Sequence, residues 1–245
     1  MKIKGLLHVH SNNSFDGETP IKKLAKLAHK QNFSFICLTD HLEKQSNISK
    51  IRKECKENSD SQLKIIPGIE VEYKDSHILS INFLDKRLLT KTSLDTYNLV
   101  NSKPQSLAIL AHPNKKRQLR GFKHVEVWNA KHHGSLAPKS SLFIKNNINF
   151  CGLDLHKETH FGKNWIEMKV SKLNEKEIIR KLKKGDFKIC NKFFCIGAKQ
   201  TISNRNKIIF ILINQYFTLL QRIVYRTEKI RKKFPKLMRL LQNVY

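Results

Sequence analysis

Two histidines and an acid follow the first apolar run of the chain at spacings that suit a metal site. The stretch LLHVHSNNSFDG, residues 6–17, places His8 and His10 at the end of a predicted strand and Asp16 six positions after His10. Residues i and i+2 of a strand point to the same side, so both imidazoles can reach one ion. Imidazole nitrogen and carboxylate oxygen together suit zinc, manganese or iron. The segment therefore predicts a divalent metal site.

More histidines and acids lie at or near the ends of later apolar runs. LTDH ends the second predicted strand, PGIEVE is the third, LAHP ends the fifth and GLDLH ends the last. With HILSI, these motifs supply the candidate ligands Asp40, His41, Glu70, His77, His112, Asp154 and His156. Because the carboxyl ends of parallel strands meet at one face, we expect these side chains to converge there. His77 begins its run instead, and the direction of its strand stays open.

The size of this set predicts more than one ion. An ion of this kind takes about four to six ligands, so two or three ions are expected. Each motif alone has another interpretation: Asp40 could cap a helix, and Glu70 could pair with a lysine. The joint order, spacing and strand-end placement of the motifs favour a shared metal centre.

Short apolar runs alternate with helix-like stretches along most of the chain. Seven runs have strand character, and WIEMKV is a candidate eighth. Residues 20–31 form the clearest predicted helix, with Ile21 and Leu24 on its apolar face and Thr19 and Pro20 as its cap and first turn. Strands that alternate with helices favour a parallel α/β sheet. Seven such units could close into a barrel, and an open doubly wound sheet is the alternative.

The alternation stops near residue 190, and a basic segment follows. We predict a domain over residues 1–195 and a basic amphipathic helical tail over residues 196–245, which carries 11 Lys and Arg and one acid, Glu228. Its densest apolar run, residues 208–213, is shorter than the roughly 20 residues needed to cross a bilayer. Docking onto the protein body, binding to an anionic membrane surface and binding to nucleic acid all stay open for this tail.

Composition limits the class of protein. Apolar residues make up 40% of the chain, which excludes global disorder, and the net charge of +27 attracts polyanions unless it only reflects a lysine-rich proteome. The five cysteines are odd in number and none are spaced Cys-x-x-Cys. They predict reduced thiols in a cytoplasmic protein rather than a disulfide framework or a zinc ribbon. The N-terminal residues lack a long apolar run, so no secretory signal is predicted.

In this order, the motifs HVHSNNSFDG, LTDH, PGIEVE, HILSI, LAHP and GLDLH resemble those of the polymerase and histidinol phosphatase (PHP) superfamily. The resemblance covers residues 1 to about 190. It implies a distorted (β/α)7 TIM-like barrel, followed here by the basic helical extension, with a trinuclear metal centre that hydrolyses phosphoesters. The chain departs from the family at Leu6 and Leu153, where members often carry Asp and Ser, and neither position is a direct ligand.

The resemblance also assigns the candidate ligands to three sites. The first site comprises His8, His10, Glu70 and Asp154. The second comprises Glu70, as a bridge, with His77 and His112. The third comprises Asp16, His41 and His156. Asp40 is assigned beside His41, which it would orient. The predicted catalytic residues are Asp154, His8 and Glu70, and Glu126 and Asn129 in VEVWN match a family segment that borders the pocket.

The predicted activity is that of a phosphatase or phosphodiesterase with two or three divalent ions (Mn, Zn or Fe) as cofactors. Coordination would lower the pKa of a bridging water, and the resulting hydroxide would attack phosphorus in line. The predicted substrate contacts are Lys115, Arg117, Asn129 and His132, and exposed loops are the alternative for the basic residues and for His132. The substrate would be a phosphorylated small molecule or a nucleotide. The alternatives are an exonuclease that acts on nucleic acid ends and a non-catalytic protein that binds a membrane surface or nucleic acid.

Overall fold

The structure of the protein is a computed structural model, and it describes residues 1–74 and 76–226. The strands in these residues are β1 (Lys2–Val9), β2 (Phe35–Leu38), β3 (Asp40–His41), β4 (Lys64–Ile66), β5 (Gly68–Tyr73), β6 (Ser76–Ile81), β7 (Leu107–Ala111), β8 (His124–Asn129), β9 (Ile148–Gly152), β10 (Asn164–Lys169), β11 (Lys188–Asn191) and β12 (Cys195–Gly197). The α-helices are α1 (Ile21–Lys30), α2 (Ile48–Glu57), α3 (Ser93–Asn101), α4 (Glu175–Lys184) and α5 (Asn204–Arg226).

The strands form two mixed sheets of six strands each. The first sheet has the order β12-β11-β10-β1-β2-β4, and the second has the order β3-β5-β6-β7-β8-β9. Strands β1, β2 and β4 run parallel, as do β7, β8 and β9. The predicted α/β class is confirmed. The strand pairing of the described residues contains two sheets and no closed ring, so the distorted (β/α)7 barrel stays a prediction.

The helices follow the apolar pattern of the sequence. In α1, the residues Ile21, Leu24 and Ala28 recur every three to four positions and are buried in the core. The helix begins after Pro20 without a side-chain cap. The core between the layers is filled by large side chains that are fully buried, among them Trp128, Phe35 and Phe150. Packing of these side chains fixes the strands whose ends carry the candidate ligands.

The expectation that all cysteines are reduced is wrong for one pair. Cys190 and Cys195 form a disulfide bond. Strands β11 and β12 make an antiparallel hairpin in which these two residues lie opposite each other, with their Cα atoms 4.1 Å apart. The sequence search for Cys-x-x-Cys spacing could not find them, because their pairing depends on the hairpin register. Cys37, Cys55 and Cys151 are free and buried.

Helix α5 covers residues 204–226 of the predicted tail. Residues 227–245, which hold the most basic part of that tail, lie outside the described residues. The division into domains 1–195 and 196–245 therefore stays a prediction. Among the described helices, none combines the length and the apolar character needed to span a bilayer.

Candidate metal centre

Unusual backbone conformations occur at three of the predicted ligands. His8, His112 and Asp154 have φ angles of 59°, 27° and 52°, in or near the left-handed region that non-glycine residues seldom adopt. The pairing of β1 with β2 shifts register between Leu6 and Val9, around His8. Backbone strain of this kind persists where the surrounding structure imposes it, and it concentrates at functional sites.

Backbone hydrogen bonds join the segment after β9 to the end of β1. The N–H of Leu155 donates to the carbonyl of His8 at 3.2 Å, and the N–H of His10 donates to the carbonyl of Leu155 at 3.0 Å. These bonds place Asp154 and His156 beside the two histidines of the first motif, although about 145 residues separate the segments in sequence.

The direction of the strand that begins with His77, which the sequence left open, is antiparallel. Strand β6 runs antiparallel to β5 and to β7. His77 therefore lies opposite Ala111 at the end of β7, next to His112. Although His77 lies near the start of its strand, it reaches the same end of the sheet as the other candidate ligands.

Glu70 lies at the middle of the cluster. Its Oε2 atom is 2.9 Å from His8 Nε2 and 3.2 Å from His10 Nε2. Its Oε1 atom is 2.9 Å from His77 Nδ1 and 3.3 Å from His112 Nε2. Each carboxylate oxygen thus faces two imidazoles, and a carboxylate in that position can bridge two cations.

Asp16 gathers a second group of imidazoles. Its Oδ2 atom contacts His156 Nε2 and lies 3.3 Å from His41 Nε2. Its Oδ1 atom lies 3.9 Å from His10 Nδ1. Because His10 faces Glu70 with one nitrogen and Asp16 with the other, this ring joins the two groups.

Asp154 lies between these groups and the open side of the cluster. Its Oδ1 atom is 3.8 Å from His8 Nε2 and 3.7 Å from His10 Nε2. Its Oδ2 atom is 3.0 Å from His132 Nε2. The Nζ atom of Lys131, a residue that the sequence analysis missed, is 3.5 Å from Asp154 Oδ1.

Four groups of side chains in this region each bring their nitrogen and oxygen atoms within 4.8 Å of one another. They comprise His10, Asp16, His41 and His156; His8, Glu70 and His112; His8, His10 and Asp154; and His112, His132 and Asp154. The first three sets overlap the three predicted sites, and the fourth brings in His132, which was predicted as a substrate contact. A further set contains Glu167 with Cys190 and Cys195, whose sulfur atoms are joined in the disulfide bond.

Unsatisfied nitrogen atoms test whether the cluster fits metal ions. His10 Nε2 and His41 Nδ1 are buried without a hydrogen-bond partner. His10 Nε2 lies close to Glu70 but not in the geometry of a hydrogen bond. An unpaired buried polar atom costs free energy, which coordination of a cation would recover. The nitrogen and oxygen donors of the cluster therefore fit divalent cations of the zinc, manganese and iron type.

The sequence motifs that supply these ligands match a known family. A family model of the PHP domain matches residues 7–199. The chain belongs to the PHP domain family. The resemblance inferred from the motifs is thereby confirmed.

Solved structures match this PHP domain at low sequence identity. One is a two-domain protein from Bacteroides vulgatus that contains a predicted PHP-like metal-dependent phosphoesterase; it has a TM-score of 0.62 and 16% identity, over 87% of this chain and 70% of its own. Another is a candidate metal-dependent phosphoesterase from Bifidobacterium adolescentis, with a TM-score of 0.43 and 13% identity, over 63% of this chain and 88% of its own. No curated protein matches the chain in sequence.

Opposite charges hold the acids Glu70 and Asp154 of the PHP domain in their ionised forms. Burial by itself lowers the pKa of His8, but the surrounding carboxylates, led by Glu70, outweigh burial and raise that pKa well above its usual value. Burial by itself raises the pKa of Glu70 and of Asp154, but His8 and other imidazoles hold both well below their usual values. The acids at the centre stay ionised, which is the state that binds cations.

Glu126 contacts the nitrogen of His8 that does not face Glu70. Its Oε1 atom is 3.0 Å from His8 Nδ1, and its Oε2 atom accepts hydrogen bonds from His112 N at 2.8 Å and Asn129 Nδ2 at 3.0 Å. Gly152 makes this possible, because a Cβ at that position would overlap the Glu126 carboxylate. The family resemblance placed Glu126 only at the border of the pocket. A buried acid within the apolar strand VEVWN is the sequence signal for its role.

Contrary to the prediction, the Asp40 carboxylate forms its hydrogen bonds with Ser11 and not with the ring of His41. Its carboxylate accepts hydrogen bonds from the backbone N–H and, at 2.8 Å, from the hydroxyl of Ser11. The residue beside His41 is Ser14, whose Oγ accepts from His41 N at 3.1 Å and donates to Asp16 at 2.8 Å. Asp40 belongs to none of the four ligand sets in the described residues. It holds the loop after β1 through its hydrogen bonds with Ser11.

A cavity of about 950 Å³ opens over the ligand cluster. Its wall includes Phe15, Lys74, Lys115, Arg117, Lys131 and His132. The predicted contacts Lys115, Arg117 and His132 thus line the cavity. Asn129 does not, because it is buried and its amide bonds Glu126 and approaches Asp154 at 3.4 Å. Its role as a substrate contact stays a prediction, and in the structure its amide contacts two carboxylates.

Proposed function

We propose that this PHP domain hydrolyses phosphoesters with two or three divalent cations, manganese, zinc or iron, as cofactors. The observation that carries the proposal is the surrounding of Glu70, where four imidazole nitrogens lie within 3.3 Å of its two oxygens. A buried carboxylate shared in this way suits a bridging ligand. Membership of the PHP family and the shared fold support the same class of reaction.

Nine side chains would hold the cations. They are His8, His10, Asp16, His41, Glu70, His77, His112, Asp154 and His156. When bound, the cations would lower the pKa of water for attack on phosphorus and offset the charge of the phosphoryl oxygens. The set contains imidazoles and carboxylates but no thiolate, which agrees with the burial of the free cysteines elsewhere in the fold.

Other residues of the chain would orient the ligands and the substrate. Glu126 holds Nδ1 of His8, so that Nε2 of this ring faces Glu70. Lys131, with Nζ 3.5 Å from Asp154 and a half-exposed side chain, would contact a phosphoryl oxygen at the cavity. Lys115 and Arg117, which also line the cavity, would bind further negative charge of the substrate.

The substrate class follows from the cavity. Its basic wall beside the metal ligands suits a phosphorylated small molecule or a nucleotide. The net charge of +27 favours a second candidate, an exonuclease that acts on nucleic acid ends. Salt distinguishes the two, because the affinity for a polynucleotide falls steeply with added salt and the affinity for a small phosphate ester falls much less.

The test uses generic substrates and the metal-loaded full chain. Turnover of an aryl phosphate and of a bis-aryl phosphate is compared for manganese-loaded and zinc-loaded protein, and the preferred ester defines the reaction. We expect Asp154→Asn and His8→Ala to lower turnover at least about a hundredfold while circular dichroism stays unchanged. Each variant removes a charge or ring that the centre requires.

Matched controls come from an exposed pair outside the centre. His29 Nε2 lies 3.0 Å from Asp60 Oδ2 at the surface, so His29→Ala and Asp60→Asn make the same chemical changes where no cation is expected. Both controls should retain wild-type turnover. Full activity of either centre variant, or an equal loss in the controls, would refute the proposed assignment.

A further inference from the structure

Helix α5 carries an exposed apolar face. Of the twelve large apolar side chains that are exposed among the described residues, six lie between positions 208 and 219. They are Ile208, Ile209, Ile211, Leu212, Tyr216 and Leu219, with 40–59% of each side chain exposed. An apolar surface of this kind is unusual on a protein that functions without a partner or membrane.

The opposite face of α5 is the one that contacts the protein body. Phe210 stacks on Phe194 with ring centroids 5.4 Å apart, and Asn214 Nδ2 donates to the carbonyl of Ala137 at 3.3 Å. At 100° per residue, the line through Ile208 and Leu212 lies roughly opposite the line through Phe210 and Asn214. Contact with the body therefore leaves the second apolar face in solvent.

Positive charge surrounds the start of this helix. The sequence of residues 204–226 contains no Asp or Glu, and Arg205 and Lys207 lie in its first turn. Thr201, three residues before the helix, lines a cavity of about 770 Å³ whose wall includes Lys123, Lys145, Lys183, Lys184 and Lys199. These lysines thus lie around the segment that leads into α5.

Three of these lysines are available to an anion. Lys183 donates to the carbonyls of Asn101 and Lys103 at 3.0 and 2.8 Å, and Lys199 lies 3.3 Å from Asp186. Lys123, Lys145 and Lys184 make no ion pair with an acid of the described chain. Phosphate and carboxylate groups of a lipid surface would satisfy them.

We propose that α5 binds the surface of an anionic phospholipid bilayer. Ile208, Leu212 and Leu219 would enter the boundary between headgroups and acyl chains, and the lysines beside the helix start would contact the headgroups. An apolar helix face flanked by basic residues is typical of helices that lie in this interface. A second copy of the chain is a poorer occupant, because each copy carries a net charge of +27 and the two would repel.

The test is co-sedimentation of the full chain with vesicles of phosphatidylcholine alone or mixed with phosphatidylserine. Wild type should sediment with the mixed vesicles and remain in solution with phosphatidylcholine. The triple variant Ile208→Ser, Leu212→Ser and Leu219→Ser should lower the partition coefficient at least about tenfold. The matched control changes three exposed apolar residues elsewhere, Leu89→Ser, Leu94→Ser and Ile144→Ser, and should bind as wild type does.

Charge is tested separately. The variants Lys123→Gln, Lys145→Gln and Lys184→Gln should each weaken binding to mixed vesicles by about fivefold, and added salt should weaken it further. The proposal would be overturned if wild type bound both kinds of vesicle equally or bound neither. It would also be overturned if the helix variant bound as wild type does, or if the protein formed a dimer that only the helix variant disrupts. Binding to a single-stranded oligonucleotide without binding to vesicles would likewise overturn it. Turnover of the aryl phosphate is measured in parallel, so failure of membrane binding is distinguishable from failure of the hydrolase assignment.

Discussion

Two buried histidines, His124 of β8 and His8 of β1, lie in opposite surroundings. His124, at the amino end of the strand, is buried with neutral partners: Tyr97 Oη donates to its Nδ1 at 2.8 Å, and its Nε2 donates to the carbonyl of Lys183 at 3.2 Å. Burial therefore lowers the pKa of His124 to about 4. His8, near the carboxyl end of β1, is also buried, but its two nitrogens face Glu126 and Glu70.

Burial of a histidine does not by itself indicate a metal site. His124 has both nitrogens satisfied by the protein and is neutral. In the centre, by contrast, His10 Nε2 and His41 Nδ1 lack partners while carboxylates surround the rings. The combination of ionised acids and unsatisfied imidazole nitrogens is the feature that divalent cations would complete.

Removing the shared carboxylate should have the largest effect. We expect Glu70→Gln to lower turnover of an aryl phosphate about a thousandfold or more, because one substitution withdraws charge from both halves of the centre. Steady-state kinetics with saturating manganese or zinc checks this. A loss of less than tenfold would mean that Glu70 does not bridge cations.

Changing the support behind His8 should have an intermediate effect. In Glu126→Gln, the amide keeps the volume of the carboxylate but removes its charge from Nδ1 of His8. Metal affinity should fall by about 10- to 100-fold, and excess metal should restore most of the turnover. Titration of activity against manganese concentration measures this. An activity loss that no metal concentration reverses would assign Glu126 a different role.

Changing His124, at the amino end of β8, should affect stability alone. Because the pKa of His124 falls from 6.5 in the unfolded chain to about 4 in the fold, the unfolded chain binds a proton first as the pH drops. As the pH drops from 6.5 to about 4, His124 therefore lowers the free energy of unfolding by about 1.4 kcal/mol for each pH unit. Above pH 6.5 it does not change the free energy of unfolding. His124→Gln, which cannot titrate, should flatten the slope.

Denaturant unfolding at several pH values, on wild type and His124→Gln, measures that slope. The specific activity of the folded variant at neutral pH should equal that of wild type, since His124 lies outside the centre. Identical slopes for the two proteins would show that this histidine is not buried in its neutral form.

The sequence predicted which side chains converge better than it predicted the contacts around them. Local periodicity of apolar residues is visible in the sequence itself. It predicts the spacing of His8 and His10 on one strand and the placement of His112 and Asp154 after other strands. Convergence of these segments was inferred from the general behaviour of parallel strands, and the short distances around Glu70 agree with that inference.

The contacts that the sequence could not predict depend on register and loop shape. Asp40 bonds Ser11 rather than orienting His41 because the loop after β1 folds back over it. Cys190 meets Cys195 only because a hairpin places them opposite each other. Likewise, the need for glycine at position 152 depends on the Glu126 side chain, which arrives from a neighbouring strand.

The most direct test of the central claim is the metal content of the purified full chain. After incubation with manganese or zinc and removal of free ions, mass spectrometry of the metals should find about two or three equivalents per chain in wild type. Glu70→Gln should retain fewer, and His29→Ala should retain the wild-type number. Wild-type protein that binds neither metal under any loading condition would contradict the account.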